Sequence, residues 1–372
     1  MNVNSMIGPM DEFPIHQAPL PLARPTSSDR NFYDRCYFNA MSPSSDLVLI
    51  TGLGYYPNLG VKDAYAMVRR GNEQTAVQLS DAFNPVGENR FAQQVLGYRV
   101  EVTEPLHRVR LILEATEGFA FDLVWNGSFD VVQEQRHLLY SGVKPILDAQ
   151  RFAQLGSWTG DLEIDGRWIR VDGDWMGSRD RSWGIRPSGE AEPVGRPQDP
   201  PMEGFWWLYV PIRFDEFSIV VILQEEPNGF RTLNDATRVW RDGRVEQLGW
   251  PRIEIDYAPG TRQPIGARLN CTAPDGSPVL VEVEPHVGVP LHVGGGYGGD
   301  ADWGHGRWMG EKWTRRMTYD LTDPEVAGRI PFGVIDHSAS ATCGDARGFG
   351  LFEHGSMGRH DPTGFKDWSN DR

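Results

Sequence analysis

The sequence has few cysteines and a deficit of basic residues. Three isolated cysteines, Cys36, Cys271 and Cys343, occur in 372 residues without a CxxC pair. This count argues against a disulfide framework and is typical of a reducing compartment, so we expect a cytoplasmic protein. The 36 Lys and Arg are outnumbered by 51 Asp and Glu, giving a formal net charge of −15. Such a balance argues against nucleic acid or an anionic membrane as a partner.

Long apolar runs and targeting signals are missing as well. No stretch approaches the roughly 20 apolar residues of a membrane-spanning helix. Residues 1–24 contain prolines and acidic residues instead of the basic start and apolar run of a signal peptide. We therefore expect a soluble chain without membrane insertion.

Turn-forming and aromatic residues are abundant. The chain contains 42 Gly, 27 Pro and 13 Trp, a composition that favours a turn-rich β protein with large apolar walls. Strand-length apolar runs lie between the turn signals, and Asp165-Gly166 predicts a hairpin. The spacing predicts a single helix at 145–155, ended by Gly156. Loops are predicted at 188–204 and at the glycine cluster of 293–310.

The chain repeats itself weakly. Residues 98–125 are similar to 252–284, and residues 32–58 are similar to 205–228, with offsets that require insertions. One interpretation is that meander strands look alike, because turn chemistry is limited. The other is two related β halves joined near residue 156, each a barrel or a strongly curved sheet, with a cavity in each or between them.

The densest group of charged and aromatic residues is the segment 173–187, GDWMGSRDRSWGIRP. An arginine beside Asp180 would keep this carboxylate ionised and structural. If Trp183 instead screens Asp180 from water, the pKa of Asp180 rises and its carboxyl group can serve as a general acid. Both interpretations stay open.

This segment resembles a known junction motif. The run RDRSWGIR, with the preceding hairpin DGRWIRVDGDWMG, is similar to that of the lipocalin-like superfamily of hydroxyneurosporene synthase, a carotenoid hydratase, and AttH-type proteins. Supporting stretches are GYYPNLGVKDAY (54–65), GFWWLYVPIRFD (204–215) and EHGSMGRH (353–360). The sequence resembles a bacterial branch more than the carotenoid enzymes themselves.

The resemblance implies two lipocalin-like β domains and cofactor-free hydration, cyclisation or cycloaddition of hydrophobic, often isoprenoid, substrates. Asp180 and Trp183 match the Asp and Trp of the hydratase motif, whereas Arg181 stands where those enzymes have His. This departure bears on the reaction more than on the fold, because one fold can host many functions.

Other aromatic residues are candidate walls of a ligand cavity. Trp206 and Trp207 are adjacent, so in a strand their side chains point to opposite faces, and Tyr209 shares the face of Trp207. Tyr55 and Tyr56 precede a Pro-Asn turn and would lie at a cavity mouth. Each of these residues can equally be ordinary core or turn.

The histidines cluster late in the chain, and two lie near carboxylates. His305 is close to Glu311 in sequence, and His354 directly follows Glu353. A histidine beside a carboxylate can act as an acid or base near neutral pH. No HExxH or comparable spacing occurs, so we expect no metal site.

Together these patterns predict an all-β protein with an N-terminal arm (1–30) and two lipocalin-like antiparallel β-barrel or curved-sheet domains (31–156 and 157–372). The predicted function is a cofactor-free hydro-lyase or isomerase/cyclase of a terpenoid, steroid or carotenoid-like substrate. The catalytic candidates are Asp180, His305, His354 and Glu353. The substrate-binding candidates are Trp183, Trp206, Trp207, Tyr209, Tyr55, Tyr56 and Arg181.

The alternative function is a lipid or isoprenoid carrier without chemistry. An apolar β cavity can bind such ligands with no catalytic group. A carrier cavity should be apolar throughout, whereas an enzyme cavity should contain a buried carboxylate or histidine beside an aromatic wall. The partner is a hydrophobic small molecule in either case, and a homodimer is left open.

Overall fold

The computed structural model describes residues 7–14, 21, 23–141, 144–192 and 202–369. These residues form two curled antiparallel sheets with very little helix. The predicted all-β architecture of two lipocalin-like curved sheets is thereby confirmed. None of the helices in these ranges has the length and apolar character needed to cross a bilayer.

The first sheet is built mostly from the first half of the chain. Its strands before residue 186 are β1 (Phe32–Met41), β2 (Leu47–Tyr56), β3 (Val61–Arg70), β4 (Glu73–Ala82), β5 (Gln93–Val95), β6 (Tyr98–Glu104), β7 (Arg108–Thr116), β8 (Phe119–Gly127), β9 (Val132–Gln133), β10 (His137–Ser141), β11 (Lys144–Ile164) and β12 (Arg167–Ile185). The predicted Asp165-Gly166 hairpin joins β11 to β12.

The second sheet follows in the remaining chain. Its strands are β13 (Gly204–Arg213), β14 (Phe217–Glu225), β15 (Arg231–Trp240), β16 (Val245–Gln247), β17 (Arg252–Tyr257), β18 (Pro264–Thr272) and β19 (Pro278–Pro290); β20 (Trp313–Asp320) returns to the first sheet, and β21 (Ile335–Cys343) and β22 (Ala346–Gly358) complete the second. The helix α1 is Pro324–Ala327, and single 3-10 turns occur at Pro9–Glu12, Ile330–Phe332 and Asp361–Thr363.

The two sheets share one strand order. Between its edge strands β20 and β5, the first sheet runs β4-β3-β2-β1-β12-β11-β8-β7-β6, and the second sheet runs β16-β15-β14-β13-β22-β21-β19-β18-β17. The sequence segments that resemble each other, 98–125 and 252–284, form β6–β8 and β17–β19, which occupy equivalent places. This equivalence supports the interpretation of two related β halves.

The predicted helix at 145–155 is wrong, because this segment lies inside the long strand β11. The strand pairs with β12 along one edge and with β8, β9 and β10 along the other, so tertiary pairing overrides the local pattern. Gly156 does not end a helix. A Cβ at Gly156 would lie 2.3 Å from the carbonyl oxygen of Asn126 on β8, so glycine permits the close approach of these strands.

The predicted division at residue 156 does not coincide with the division between the sheets. Strand β11 runs through residue 156, and β12 pairs with β1 as well as with β11. The change of sheet therefore falls between Ile185 and Gly204. Strand β20 crosses back to pair with β4, so each sheet is not one continuous stretch of sequence.

The concave side of the first sheet is filled with its own side chains. Trp125, Trp158 and Trp175 are buried there in a large apolar cluster. Glu12, from the segment before β1, is 3% exposed and pairs with Arg179, whose Nη1 lies 2.9 Å from its Oε2. The lumen that a lipocalin uses for its ligand is thus occupied by core and by a buried ion pair.

The sheets pack against each other through their other faces. One apolar cluster joins Ala153 and Leu155 of the first sheet to Ile222 and Leu351 of the second. A second cluster contains residues of strands β1, β2, β3 and β4, which pack against Val289 and against the 293–310 loop. The candidate site lies in the space that these two clusters leave between the sheets.

Candidate functional site

A cavity of about 370 Å³ lies between the two sheets. Its walls are formed by side chains of both sheets, among them Tyr37, Arg151, Asp180, Trp207, Tyr209 and Glu353. A larger outer chamber shares Arg35, Arg186 and Tyr297 with it and is bordered by residues 188–192 and 202–204 and by part of the predicted loop at 293–310. The volume is within the range of small-molecule sites in proteins.

The two sheets contribute matching pairs of residues to this cavity. Tyr37 on β1 lies directly opposite Asp180 on β12, and Tyr209 on β13 lies directly opposite Glu353 on β22. These strands occupy equivalent positions in the two sheets. Residues paired across neighbouring strands share a face, so each half of the chain presents one tyrosine and one carboxyl group to the space between the sheets.

Glu353 forms a carboxyl pair with Asp336, its partner on β21. Burial raises the pKa of Glu353 to about 6, and burial together with Glu353 raises the pKa of Asp336 well above its ordinary value. Trp207 Nε1 donates to Glu353 Oε1 at 2.6 Å, and the Tyr37 hydroxyl donates to Asp336 Oδ2. Two buried carboxyls in contact cannot both ionise, so the pair shares a proton near neutral pH.

Asp180 faces the pair from the first sheet. Its carboxyl group accepts no hydrogen bond from any residue that the structure describes, and it is half-buried because it lines the cavity. Burial raises the pKa of Asp180, while the charges of Arg151, Arg35 and Arg186 act to lower it. Arginines thus favour the ionised form of Asp180, as one interpretation expected, and burial is the larger, opposing effect. Trp183 does not supply this burial, because it lies on the opposite face of β12.

Arg151 on β11 is another charged residue of the first sheet's wall. Its Nε lies 3.3 Å from Oε2 of Glu134, and its guanidinium lies 5.6 Å from the centroid of the Trp207 ring. Burial raises the pKa of Glu134 to about 8 in spite of Arg151. His137 also stacks on Trp207, with ring centroids 5.6 Å apart, and burial lowers the pKa of this histidine to about 3.

Residues 7–366 match a family described as a family of unknown function, DUF8625. The chain belongs to this family. A comparison with curated protein sequences gives no significant match.

Solved structures similar to this DUF8625 chain share its fold. A protein assigned as AttH from Nitrosomonas europaea has 11% identity and a TM-score of 0.54, covering 87% of this chain and 92% of that one. Kievitone hydratase from Nectria haematococca has 12% identity and a TM-score of 0.51, covering 87% and 88%. CghA bound to Sch210972 has 14% identity and a TM-score of 0.51, covering 93% and 95%. These similarities confirm the fold that the resemblance to AttH-type proteins and hydratases implied.

Four sequence-predicted residues of the DUF8625 chain meet at the cavity: Asp180, Trp207, Tyr209 and Glu353. They come from β12, β13 and β22, and strand alternation directs all four into the same space. The hydroxyl of Tyr209 is buried and has no hydrogen-bond partner among the described residues. It is therefore available to a bound molecule.

Arg181 and Trp183 do not line the cavity. They alternate with Asp180 and Ser182 along β12, so their side chains lie on the concave side of the first sheet. Arg181 Nη2 donates to Asp34 Oδ1 at 2.7 Å, and Trp183 packs edge-on against Phe152. Arg181, at the position where the hydratase motif has His, thus forms a buried structural ion pair with Asp34.

Trp206 and His354 belong to the core of the second sheet, for the same reason of alternation. The Nδ1 of His354 donates to the carbonyl of Trp207 at 2.6 Å, and its Nε2 lies 2.9 Å from the hydroxyl of Tyr257. Burial lowers the pKa of His354 to about 3. Trp206 stacks on His360. Neither Trp206 nor His354 reaches the cavity.

His305 lines the outer chamber instead of the inner cavity. Its Nδ1 lies 3.6 Å from Oδ1 of Asp63, and burial lowers the pKa of its ring to about 4. Tyr56 donates to the same Asp63 oxygen at 3.3 Å, and the Tyr55 hydroxyl accepts from the backbone of Gln94 at 3.0 Å. Both tyrosines are packed in the interior and contribute nothing to the cavity wall.

Proposed function

We propose that this chain is an enzyme that transfers protons to and from a hydrophobic small molecule, in a hydration, dehydration, isomerisation or cyclisation reaction. The observation that carries the proposal is the placement of carboxyl groups on opposite walls of one cavity. Asp180 stands on the first sheet, and the Asp336–Glu353 pair stands on the second. Carboxyl groups with raised pKa values are the usual acids and bases of such reactions.

We assign different roles to the two walls because their carboxyl groups have different neighbours. Asp336 is the member of the carboxyl pair with the more strongly raised pKa, and Glu353 is the member that lines the cavity, so Glu353 would be the acid by passing on the proton of the pair. Asp180 would be the base, because the charges of Arg151, Arg35 and Arg186 favour its ionised form against the effect of burial. A substrate between them can gain a proton on one side and lose one on the other. Tyr209 would hold an oxygen of the substrate next to Glu353.

Apolar side chains would hold the rest of the substrate. Leu139, Leu147, Leu291 and Val334 line the cavity between the charged groups, with Trp207 as an aromatic wall. The rim carries three exposed apolar residues, Met202, Phe332 and Trp368, which are 58%, 48% and 47% exposed. An isoprenoid-type compound with at least one oxygen fits this lining, and the hydratase among the similar structures supports a hydration-type reaction.

A non-catalytic carrier is the weaker alternative. A carrier gains nothing from carboxyl groups in its ligand cavity, and burying them costs free energy. Here Asp180 and Glu353 lie on the cavity wall itself, which favours the enzyme.

The test begins with mass spectrometry of hydrophobic material extracted from the purified protein. That material, together with farnesol, geraniol and β-ionone as fixed probes, is then incubated with the protein in D2O. We expect deuterium incorporation or gain of a water, reduced by about 100-fold or more in Asp180→Asn and Glu353→Gln.

The matched control is Asp161→Asn, which alters a surface pair with Arg170 far from the cavity. It should keep wild-type rates. Recovery of every bound compound unchanged, without deuterium, would contradict the enzyme and support the carrier. Equal rates in wild type and both cavity variants would contradict the assigned acid and base.

A further inference from the structure

We propose that Arg35 and Arg186 form a binding site for an anionic oxygen group, a carboxylate or an enolate, carried by the apolar ligand. The inference rests on the proposed function in one respect, that the cavity between the sheets is where the ligand binds. It adds a chemical class to that ligand, an amphipathic anion, which nothing in the family description states.

The two arginines are held on one aromatic ring. The guanidinium of Arg35 lies 5.1 Å from the centroid of Tyr297, and that of Arg186 lies 5.5 Å from it. The Tyr297 hydroxyl in turn lies 3.0 Å from the hydroxyl of Tyr65. Contact of an arginine with an aromatic face fixes the plane of the guanidinium and leaves its N–H groups free to bind.

Both arginines line the inner cavity and the outer chamber. Arg35 is two residues before Tyr37 on β1 and shares its face, and Arg186 follows the end of β12. They therefore stand where a ligand passes from the outer chamber to the carboxyl groups. A group bound here would set the position of the apolar part within the inner cavity.

Neither guanidinium has an acidic partner within ion-pair distance in the described part of the chain, although Arg35 is only 7% exposed. Three other arginines of the first sheet do have one: Arg151 pairs with Glu134, Arg179 with Glu12 and Arg181 with Asp34. Arginine stays protonated in proteins. A buried charge without a counter-ion is costly, and protein sites that keep one commonly bind a charged ligand.

The charged residues that line the cavity also favour a negatively charged ligand. The lining includes three arginines and two carboxyl groups, Asp180 and Glu353. Arg151 has Glu134 as its ion-pair neighbour, so Arg35 and Arg186 are the two arginines of the lining without an acidic partner among the described residues. Two guanidiniums held on one ring match the several acceptor sites of a single carboxylate or enolate.

The experiment compares two probes that differ only in charge. Naphthaleneacetate and naphthaleneacetamide are titrated into the protein, with binding followed by calorimetry and by tryptophan fluorescence, and inorganic phosphate serves as an anion without an apolar part. We expect wild type to bind the carboxylate at least about tenfold more tightly than the amide. Arg35→Gln and Arg186→Gln should bring this ratio close to one without weakening the amide.

The matched control is Arg167→Gln, an exposed arginine in the β11–β12 hairpin, which should keep the wild-type ratio. Circular dichroism and thermal unfolding establish that each variant is folded, and Arg186, which is less buried than Arg35, provides the second variant if Arg35→Gln does not fold. Equal affinities for acid and amide in wild type, an unchanged ratio in the arginine variants, or phosphate binding as tight as that of the carboxylate would overturn the inference.

Failure of this inference is distinguishable from failure of the proposed function. Loss of the preference for the acid is read from binding alone, whereas the roles of Asp180 and Glu353 are read from deuterium incorporation. A wild type that prefers the acid but exchanges no proton would be a carrier of anions. A wild type that exchanges protons without any preference for the acid would be an enzyme of neutral substrates.

Discussion

Tyr37 of the first sheet donates its hydroxyl to Asp336 of the second sheet. The carboxyl pair of one half of the chain is thereby stabilised by a side chain of the other half. Neither half contains the complete site, because the acid, its hydrogen-bond donor and the facing base come from both sheets. The packing of the sheets against each other is therefore a requirement for the proposed chemistry.

Tyr37→Phe should raise the pH at which the carboxyl pair loses its proton. The Tyr37 hydrogen bond lowers the pKa of Asp336 against the opposing effects of burial and of Glu353. Without it the pair keeps its proton to higher pH, and the lost bond should reduce the free energy of unfolding by about 1–3 kcal/mol. The protonated carboxyl band in infrared spectra, followed against pH, measures the shift. An unchanged titration would show that Tyr37 does not act on the pair.

Tyr209→Phe should separate stability from activity. The Tyr209 hydroxyl is buried without a partner in the described residues, so its removal should stabilise the fold by about 1 kcal/mol while turnover on a verified substrate falls. Tyr98→Phe is the control, because Thr51 Oγ1 donates to the Tyr98 hydroxyl at 2.9 Å and its loss should destabilise. Denaturant unfolding measures the stability of the two variants, and steady-state kinetics measures their turnover. Destabilisation by Tyr209→Phe would mean that the hydroxyl is already bonded.

His354 should make the protein sensitive to acid. Burial lowers its pKa to about 3 from the ordinary value of about 6.5, so the unfolded chain binds a proton in this window that the folded chain does not. The free energy of unfolding therefore falls as pH decreases from about 6.5, by about 2 kcal/mol at a pH two units lower. His354→Gln should remove this part of the slope, measured by urea unfolding at several pH values.

The exposed His107, replaced in His107→Gln, is the control for that slope. It should leave the dependence of stability on pH as in wild type. A His354→Gln variant with the full wild-type slope would show that other groups, not His354, cause the loss of stability in acid.

Glu12→Gln should destabilise the first sheet strongly. Burial alone would raise the pKa of Glu12, but Arg179 holds it below its ordinary value, and the amide would leave Arg179 buried without a counter-charge. The expected loss is about 3–5 kcal/mol in the free energy of unfolding. Asp161→Asn, which removes an exposed pair, should cost no more than about 1 kcal/mol. Equal losses in the two variants would contradict the buried-pair interpretation.

Strands and hairpins could be predicted from the sequence because their signals are local. Asp165-Gly166 carries the turn between β11 and β12 in two adjacent residues. Alternation along a strand likewise separates Trp207 from Trp206. The helix at 145–155 failed because the pairing partners of β11 lie outside the segment, and no local pattern records them.

Residues of the candidate site could be predicted only where the sequence of a single strand marks them as unusual. Asp180 and Glu353 lie in dense motifs, whereas Asp336 and Arg151 lie in strands with no unusual composition. Their role follows from which strands become neighbours and from the docking of the two sheets, which joins residues as distant as Tyr37 and Asp336. A buried carboxyl pair of this kind leaves a sequence signal only as an inward-facing acid among apolar residues.

Strand β20 has a consequence for how ligands are exchanged. It leaves the second half of the chain and forms eight cross-strand pairs with β4 of the first sheet. A hinge motion that separates the halves would have to break this ladder, so the sheets are braced at a constant spacing. We expect ligands to enter and leave through the apolar rim of Met202, Phe332 and Trp368. The width of a permanently open entrance, and not domain closure, would then determine which ligands bind.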